Sequence, residues 1–297
     1  MKRLLSSTAS EVKKMTKDQL LKSIKASSGR IILAENDVVI PPFAGGITNS
    51  EVVAGFGADL ILLNCLDLND MKIIGLDKTE SPINRLKELT GKPIGVNLEP
   101  VDFSAELESS LIKVSSGRTA AIENLKKAEE LGFDFICLTG NPGTGVSNKE
   151  IARAIEEAKK YFNGIIIAGK MHSAGVSESI IDHETIDTFT KAGADIILFP
   201  VAGTVPGFSE EQMREACLYI QQQGKLAMSA IGTTQEGADE ATIRALALTS
   251  KRAGADIQHI GDAGFNGTAD PENIMALSIA IRGKRHAYLK MVQSVNR

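Results

Sequence analysis

The chain has 297 residues, 43% of them hydrophobic and 24% charged, enough to bury one large core without help from disulfides or a structural metal. Its formal net charge of −4 leaves no basic stripe for nucleic acid or an anionic membrane, and no apolar run reaches transmembrane length. Cys65, Cys137 and Cys217 form no CxxC or Cys/His spacing, and Met1-Lys2-Arg3 leads into Ser6-Ser7-Thr8 rather than a secretory apolar core, so buried thiols and a cytoplasmic location are expected.

In chain order, residues 16–28 read as an amphipathic helix within an N-terminal extension, 1–28, placed to close one end of the fold. Eight short apolar runs follow: Ile31–Ala34, Leu60–Leu63, Pro93–Val96, Phe133–Leu138, Ile165–Ala168, Ile196–Phe199, Leu226–Met228 and Ile257–Ile260. Nearly all are apolar at every position, as expected for parallel strands covered on both faces. The even-numbered runs open with Gly-X-Asp, at Gly57-Ala58-Asp59, Gly132-Phe133-Asp134, Gly193-Ala194-Asp195 and Gly254-Ala255-Asp256. The odd-numbered runs open with Gly29, Gly91, Gly164 and Gly224. A glycine after a helix supplies the left-handed residue that turns the chain into the next strand. Helix starts lie between the runs, at Ser81-Pro82, at Ser147 with Glu150, at Ser209 with Gln212, and at Asp270-Pro271-Glu272. A two-strand unit repeated four times predicts the α/β class: a single (β/α)₈ TIM barrel with an extra N-terminal helix, one domain over 1–297, with 283–297 as a tail.

In a barrel the loops after the strands make the site, and the loops before them serve stability. That rule sets the four Gly-X-Asp aspartates aside as turn and capping residues. At the opposite end stand Glu35 and Asp37 after the first run, Asn64 and Asp67 after the second, and Asn97 and Glu99 after the third. A long connection to about Arg118 comes next, then Thr139 and Asn141, Lys170 and His172, Ser229 with Gly232-Thr233-Thr234, and Gly261-Asp262-Ala263-Gly264.

These residues divide by chemistry. Glu35, Asn97, Glu99, Lys170 and His172 are the catalytic candidates: carboxylates and an imidazole move protons, and a desolvated lysine stabilises an enolate or forms a Schiff base. Gly232, Thr233, Thr234, Gly261, Asp262, Ala263 and Gly264 are the anion-binding candidates, because barrels frequently hold phosphate after strands seven and eight. Asn64, Thr139, Asn141 and Ser229 are further substrate contacts. Glu35, Asp37, Asp67 and Glu99 offer oxygen ligands suited to Mg²⁺, without a spacing that demands it. Among the other histidines, His183 and His286 fall in helical or tail sequence, and His259 lies inside the last run as a core residue.

The chain resembles a functionally uncharacterised bacterial TIM-barrel family labelled phosphonomutase-like. The resemblance covers most of the chain. It is carried by Leu138 through Val146, by Gly169-Lys170-Met171-His172, and by Gly261-Asp262-Ala263-Gly264-Phe265 continuing through Pro271-Glu272-Asn273-Ile274 to Ile281 through His286. It implies a barrel, and its label points to the phosphoenolpyruvate mutase and isocitrate lyase superfamily. That superfamily's Asp-X-Asp after an early strand and its Lys-Lys-Cys-Gly-His-like loop are both missing here, so its magnesium chemistry does not carry over. The expected function is an enzyme acting on a small phosphorylated or carboxylated metabolite by lyase, aldolase or isomerase chemistry. Two alternatives are a non-catalytic barrel that senses a metabolite and a structural subunit. The expected partner is a small anion rather than nucleic acid or membrane, and a homo-oligomer is compatible with the sequence.

Overall fold

A computed structural model describes residues 2–102, 112–173, 176 and 178–297. A short N-terminal segment carries α1 (Ala9–Val12) and α2 (Lys17–Lys25). Strands and helices then alternate: β1 (Ile31–Asp37), α3 (Asn49–Gly55), β2 (Leu60–Asn64), α4 (Pro82–Thr90), β3 (Ile94–Asn97), α5 (Ile122–Glu130), β4 (Phe135–Leu138) and α6 (Asn148–Tyr161). The second half adds β5 (Ile165–Gly169), α7 (His183–Ala192), β6 (Ile196–Pro200), α8 (Glu210–Gln222), β7 (Leu226–Ile231), α9 (Glu240–Ala253), β8 (Ile257–Ile260) and α10 (Pro271–Val292). All eight strands pair in parallel and in chain order, and β8 closes on β1. The TIM barrel expected from the eight apolar runs is the fold observed.

Two apolar cores flank the sheet. Alternate strand residues such as Leu33, Leu62, Phe135, Ile167, Leu198 and Met228 fill the barrel, and Leu4, Leu5, Leu20 and Ile24 join them from the N-terminal segment. That segment therefore closes the amino-terminal end, with α2 capped by Thr16 and Gln19. The other alternate residues, including Ile32, Ile61, Ile136 and Ile197, pack against the surrounding helices. One inward position is Gly95, where a Cβ would lie 2.1 Å from the Phe135 ring, so the aromatic ring of β4 occupies the space that β3 leaves.

The fourfold Gly-X-Asp repeat has a structural cause. Each aspartate accepts a backbone N–H from the first or second residue of the preceding strand: Asp59 from Ile32, and Asp195 from Ile166. Asp134 takes that of Ile94, and Asp256 that of Ala227. In return each aspartate's own N–H donates to the same residue's carbonyl. A carboxylate thus ties every even strand to the odd strand before it, at the amino ends of the strands. We expect Asp195→Ala to leave the Ile166 N–H without its partner and to cost about 1–3 kcal/mol of stability, read in urea unfolding.

Local bounds shift: β4 begins at Phe135 rather than Phe133, and β7 runs to Ile231 rather than Met228. β1 does not stop at Ala34 but runs to Asp37, because Gly267 accepts the Asp37 N–H at 2.8 Å and extends the pairing. The helix between the first two strands, α3, for which the sequence analysis named no start, opens at a capping box of Thr48 and Glu51. The segment taken as a tail from 283 stays helical to Val292, with a kink at Gly283 (φ 73°, ψ 161°). Beyond the kink Lys290 reaches Asp59, 3.2 Å away, and the Leu4 carbonyl, so one face of this otherwise exposed segment is tied to the barrel. The middle of the long connection after β3, 103–111, lies outside the described residues. Among the described residues no helix is long and apolar enough to cross a membrane.

Candidate active site

The alternation that fills the barrel with apolar side chains continues to its carboxyl end, where the residues turn polar. Ile31 and Leu33 lead to Glu35, and Leu60 and Leu62 to Asn64. Gly95 leads to Asn97, Phe135 and Cys137 to Thr139, and Ile257 to His259. All five polar residues are buried. They form a polar layer directly above the hydrocarbon.

One half of this layer is a closed hydrogen-bond network. Asn64 and Asn141 exchange amide hydrogen bonds at 2.9 and 3.1 Å. Asn97 Nδ2 donates to Asn64 Oδ1 at 3.2 Å. Glu99 accepts the Asn141 backbone N–H (2.9 Å), the Asn141 side-chain amide (3.0 Å) and the Arg118 guanidinium (2.7 Å). Glu99 is therefore a buried carboxylate with both oxygens satisfied, and it anchors the loop after β4. Asn97 Oδ1 and Thr139 Oγ1 have no hydrogen-bond partner.

The other half is proton-rich. Glu35 Oε2 approaches His259 Nε2 to 3.2 Å without hydrogen-bond alignment, and Glu35 Oε1 has no partner. Burial pushes the Glu35 carboxyl up to about 8, and the charges of Glu236, Glu99 and Asp37 add to the rise. Burial pulls His259 down to about 4 against the pull of Glu236 and Asp262. Asp262 is likewise pushed up to about 8 by burial and then by Glu35, although the Asn64 amide bonded to it at 2.9 Å works the other way. At neutral pH, Glu35 and Asp262 are largely protonated and His259 is neutral. A carboxylic acid next to an uncharged imidazole can give a proton to a substrate oxygen and take one from carbon.

The loops after β7 and β8 do not form the open anion site expected from Gly232–Thr234 and Gly261–Gly264. Several of their donors are committed: Gly261 N–H to the Ile231 carbonyl, Gly264 N–H to the Thr268 carbonyl, and Ala263 N–H to Glu236 Oε1 at 3.2 Å. The Thr233 hydroxyl bonds the Thr204 carbonyl and the Thr234 hydroxyl the Thr233 carbonyl. Gly232 faces Met171, and Asp262 belongs to the acid cluster. Glu236, which the sequence reading overlooked, fills the space between the two loops.

Other candidates also move. Ser229 points out of the barrel and hydrogen-bonds Ser250 on α9, so it is a strand–helix contact rather than a substrate contact. Lys170 falls on the outward parity of β5 and is buried in an ion pair with Glu178, which also accepts the Asn148 N–H at the start of α6. Burial lowers Lys170, and its bond to Glu178 opposes that. Burial, followed by the charge of Lys170, pulls His172 down to about 4, with Glu99 acting against it. The proposed magnesium set does not assemble: Asp37 and Asp67 cap their own turns at Val39 and Asn69, and among the described residues no three His, Cys, Asp or Glu side chains group to hold a metal. His259, read as a core residue, is in the core but lacks hydrogen-bond partners at both ring nitrogens. Strand parity counted from Ile257 is the signal that places it in the site. Glu236 has no such signal, because it sits on an irregular turn.

Comparison with known proteins adds a family and a fold. A family model described as domain of unknown function (DUF7916) matches residues 5–297. No curated protein matches the chain. Among solved structures, 2,3-dimethylmalate lyase, a PEP mutase/isocitrate lyase superfamily member, is 13% identical with a TM-score of 0.51, over 83% of this chain and 81% of that one. Thiamine phosphate pyrophosphorylase from Pyrococcus furiosus is 14% identical with a TM-score of 0.48, over 86% and 98%. At such identity the first of these likenesses supports the barrel alone.

Proposed function

The chain belongs to the DUF7916 family, and from that footing we propose that its barrel is an enzyme of the lyase or isomerase kind, acting on a small carboxylated metabolite at the carboxyl ends of the strands. The observation that carries this reading is Glu35: a buried carboxyl held near neutrality, with one oxygen unpartnered and the other beside a neutral imidazole. Burying an ionisable group without a partner is unfavourable, and perturbed carboxyls inside a barrel mouth are the groups that proton transfer requires. Glu35 is the acid or base. His259 keeps it company without charge and passes the proton. Asn97 and Thr139, each with an unpartnered oxygen, orient the substrate's polar groups. Arg118, whose guanidinium is anchored on Glu99, receives the carboxylate. Lys170 holds the loop after β5 through Glu178, and His172 serves as a neutral hydrogen-bonding group at the rim.

The test is exchange in D₂O. Pooled three- to six-carbon carboxylic acids are incubated with the protein and followed by proton NMR. Loss of a C–H signal or appearance of a cleavage product supports the enzyme. Saturable binding with no exchange and no product would put a metabolite-sensing barrel in its place.

A further inference from the structure

Beyond β7 the chain makes a turn with an unusual backbone. Thr233 and Thr234 are both left-handed, at φ 60° and 71°, and a 3₁₀ turn, Gln235–Gly237, follows. Asn273, in the first turn of α10, fixes this turn by donating to the Glu236 and Ala238 carbonyls at 2.9 and 2.7 Å. Two loops and a helix start therefore converge at the place where barrels frequently hold phosphate, and clustered backbone N–H groups of this kind favour an anion. The acidic group present there belongs to the chain itself. Glu236 is 3% exposed; its Oε1 accepts the Ala263 N–H at 3.2 Å and its buried Oε2 has no hydrogen-bond partner. Burial raises its carboxyl, against the pull of the N–H groups of Glu236 itself, Ala263 and Thr234. At Gly261 a Cβ would stand 2.6 Å from Glu236 Oε1, so the absent side chain is what lets the carboxylate in.

We propose that Glu236 is a specificity-determining residue: its carboxylate fills the anion cradle of the last two loops, and the barrel thereby excludes phosphorylated ligands and takes non-phosphorylated ones. The proposal deepens the reading of the barrel mouth as a substrate site and rests on it. Its test reads anion binding rather than turnover, so the two can fail separately.

The full-length chain and its Glu236→Ala, Glu236→Gly and Glu236→Gln variants are titrated with inorganic phosphate, using phosphorus NMR and calorimetry at constant ionic strength in chloride. The first two variants should bind phosphate at least about tenfold more tightly than the parent, a difference of roughly 1.4 kcal/mol. Glu236→Gln, which still offers an oxygen to the same amides, should show no such gain. Should the truncated variants fold poorly, phosphate or acetate should restore their refolding yield and melting temperature more than chloride does, because an added anion replaces the lost carboxylate. The proposal is overturned if the parent binds phosphate as tightly as the truncations, if the truncations gain no phosphate affinity, or if phosphate and acetate restore an unstable variant no better than chloride.

Discussion

Glu35→Gln should lower turnover by about 10²- to 10⁴-fold, the range lost with a general acid or base, and leave the protein at least as stable as before. The amide keeps the shape of the carboxyl and cannot deliver the proton. The stability side follows from linkage. Glu35 sits near 8 in the folded protein against an ordinary 4.5, so the folded state keeps a proton that the unfolded chain releases between those values. A folded value above the unfolded one means that stability is fully present below pH 4.5 and is lost as pH rises through 8. The variant lacks this loss and should gain on the parent by a few kcal/mol, on an order-of-magnitude basis, between pH 5 and 8.5. Urea unfolding at pH 5, 7 and 8.5 reads the stability, and the exchange reaction in D₂O reads the turnover. Undiminished exchange in the variant removes Glu35 from the chemistry, and a stability difference that ignores pH removes the raised carboxyl.

Asp59→Ala should cost about 3–5 kcal/mol, the largest stability loss expected of a single substitution outside the hydrocarbon core. Asp59 and Arg282 have fully buried side chains in an ion pair of 2.6 Å, and Lys290 stands 3.2 Å from the other carboxylate oxygen. Burial pushes Asp59 up, but Arg282, Lys290, Lys92 and the Ile32 N–H together hold it below its ordinary value. A depressed carboxyl contributes stability that is present above pH 3.8 and lost as pH falls through the folded value. Removing it leaves two buried cations uncompensated and frees the end of α10 from the barrel floor. Urea midpoints for Asp59→Ala and Asp59→Asn measure the effect. A loss below 1 kcal/mol in both would mean that the cluster contributes little.

The fold was legible in the sequence because its signals are local. An apolar run of four residues, a glycine that turns left-handed and an aspartate two positions later lie within one strand entrance, and all four Gly-X-Asp sites serve the same hydrogen bond. Capping at Ser147, Ser209 and Asp270 is equally local, and these residues accept the N–H groups that their spacing announces, whereas at Ser81 the helix opens on Pro82 without a side-chain cap. The rule that a barrel works at the carboxyl ends of its strands then named Glu35, Asn64, Asn97, Glu99, Thr139 and Asn141, which the structure brings together.

What the sequence left undecided depends on groups far apart in the chain. Strand parity separates an inward Glu35 from an outward Ser229, but parity is readable only once it is known that β1 runs to Asp37, and that length depends on Gly267. Glu236 meets Ala263 and Gly261 because barrel closure brings the last two loops together, and their amides then look free in the sequence and committed in the fold. Lys170 follows a strand as a catalytic lysine would, yet Glu178 claims it. The sequence by itself determined the order, direction and period of the strands. Only the tertiary structure decided which carboxyl is left protonated and without a partner, because desolvation and hydrogen-bond satisfaction are properties of the closed barrel rather than of any segment in it.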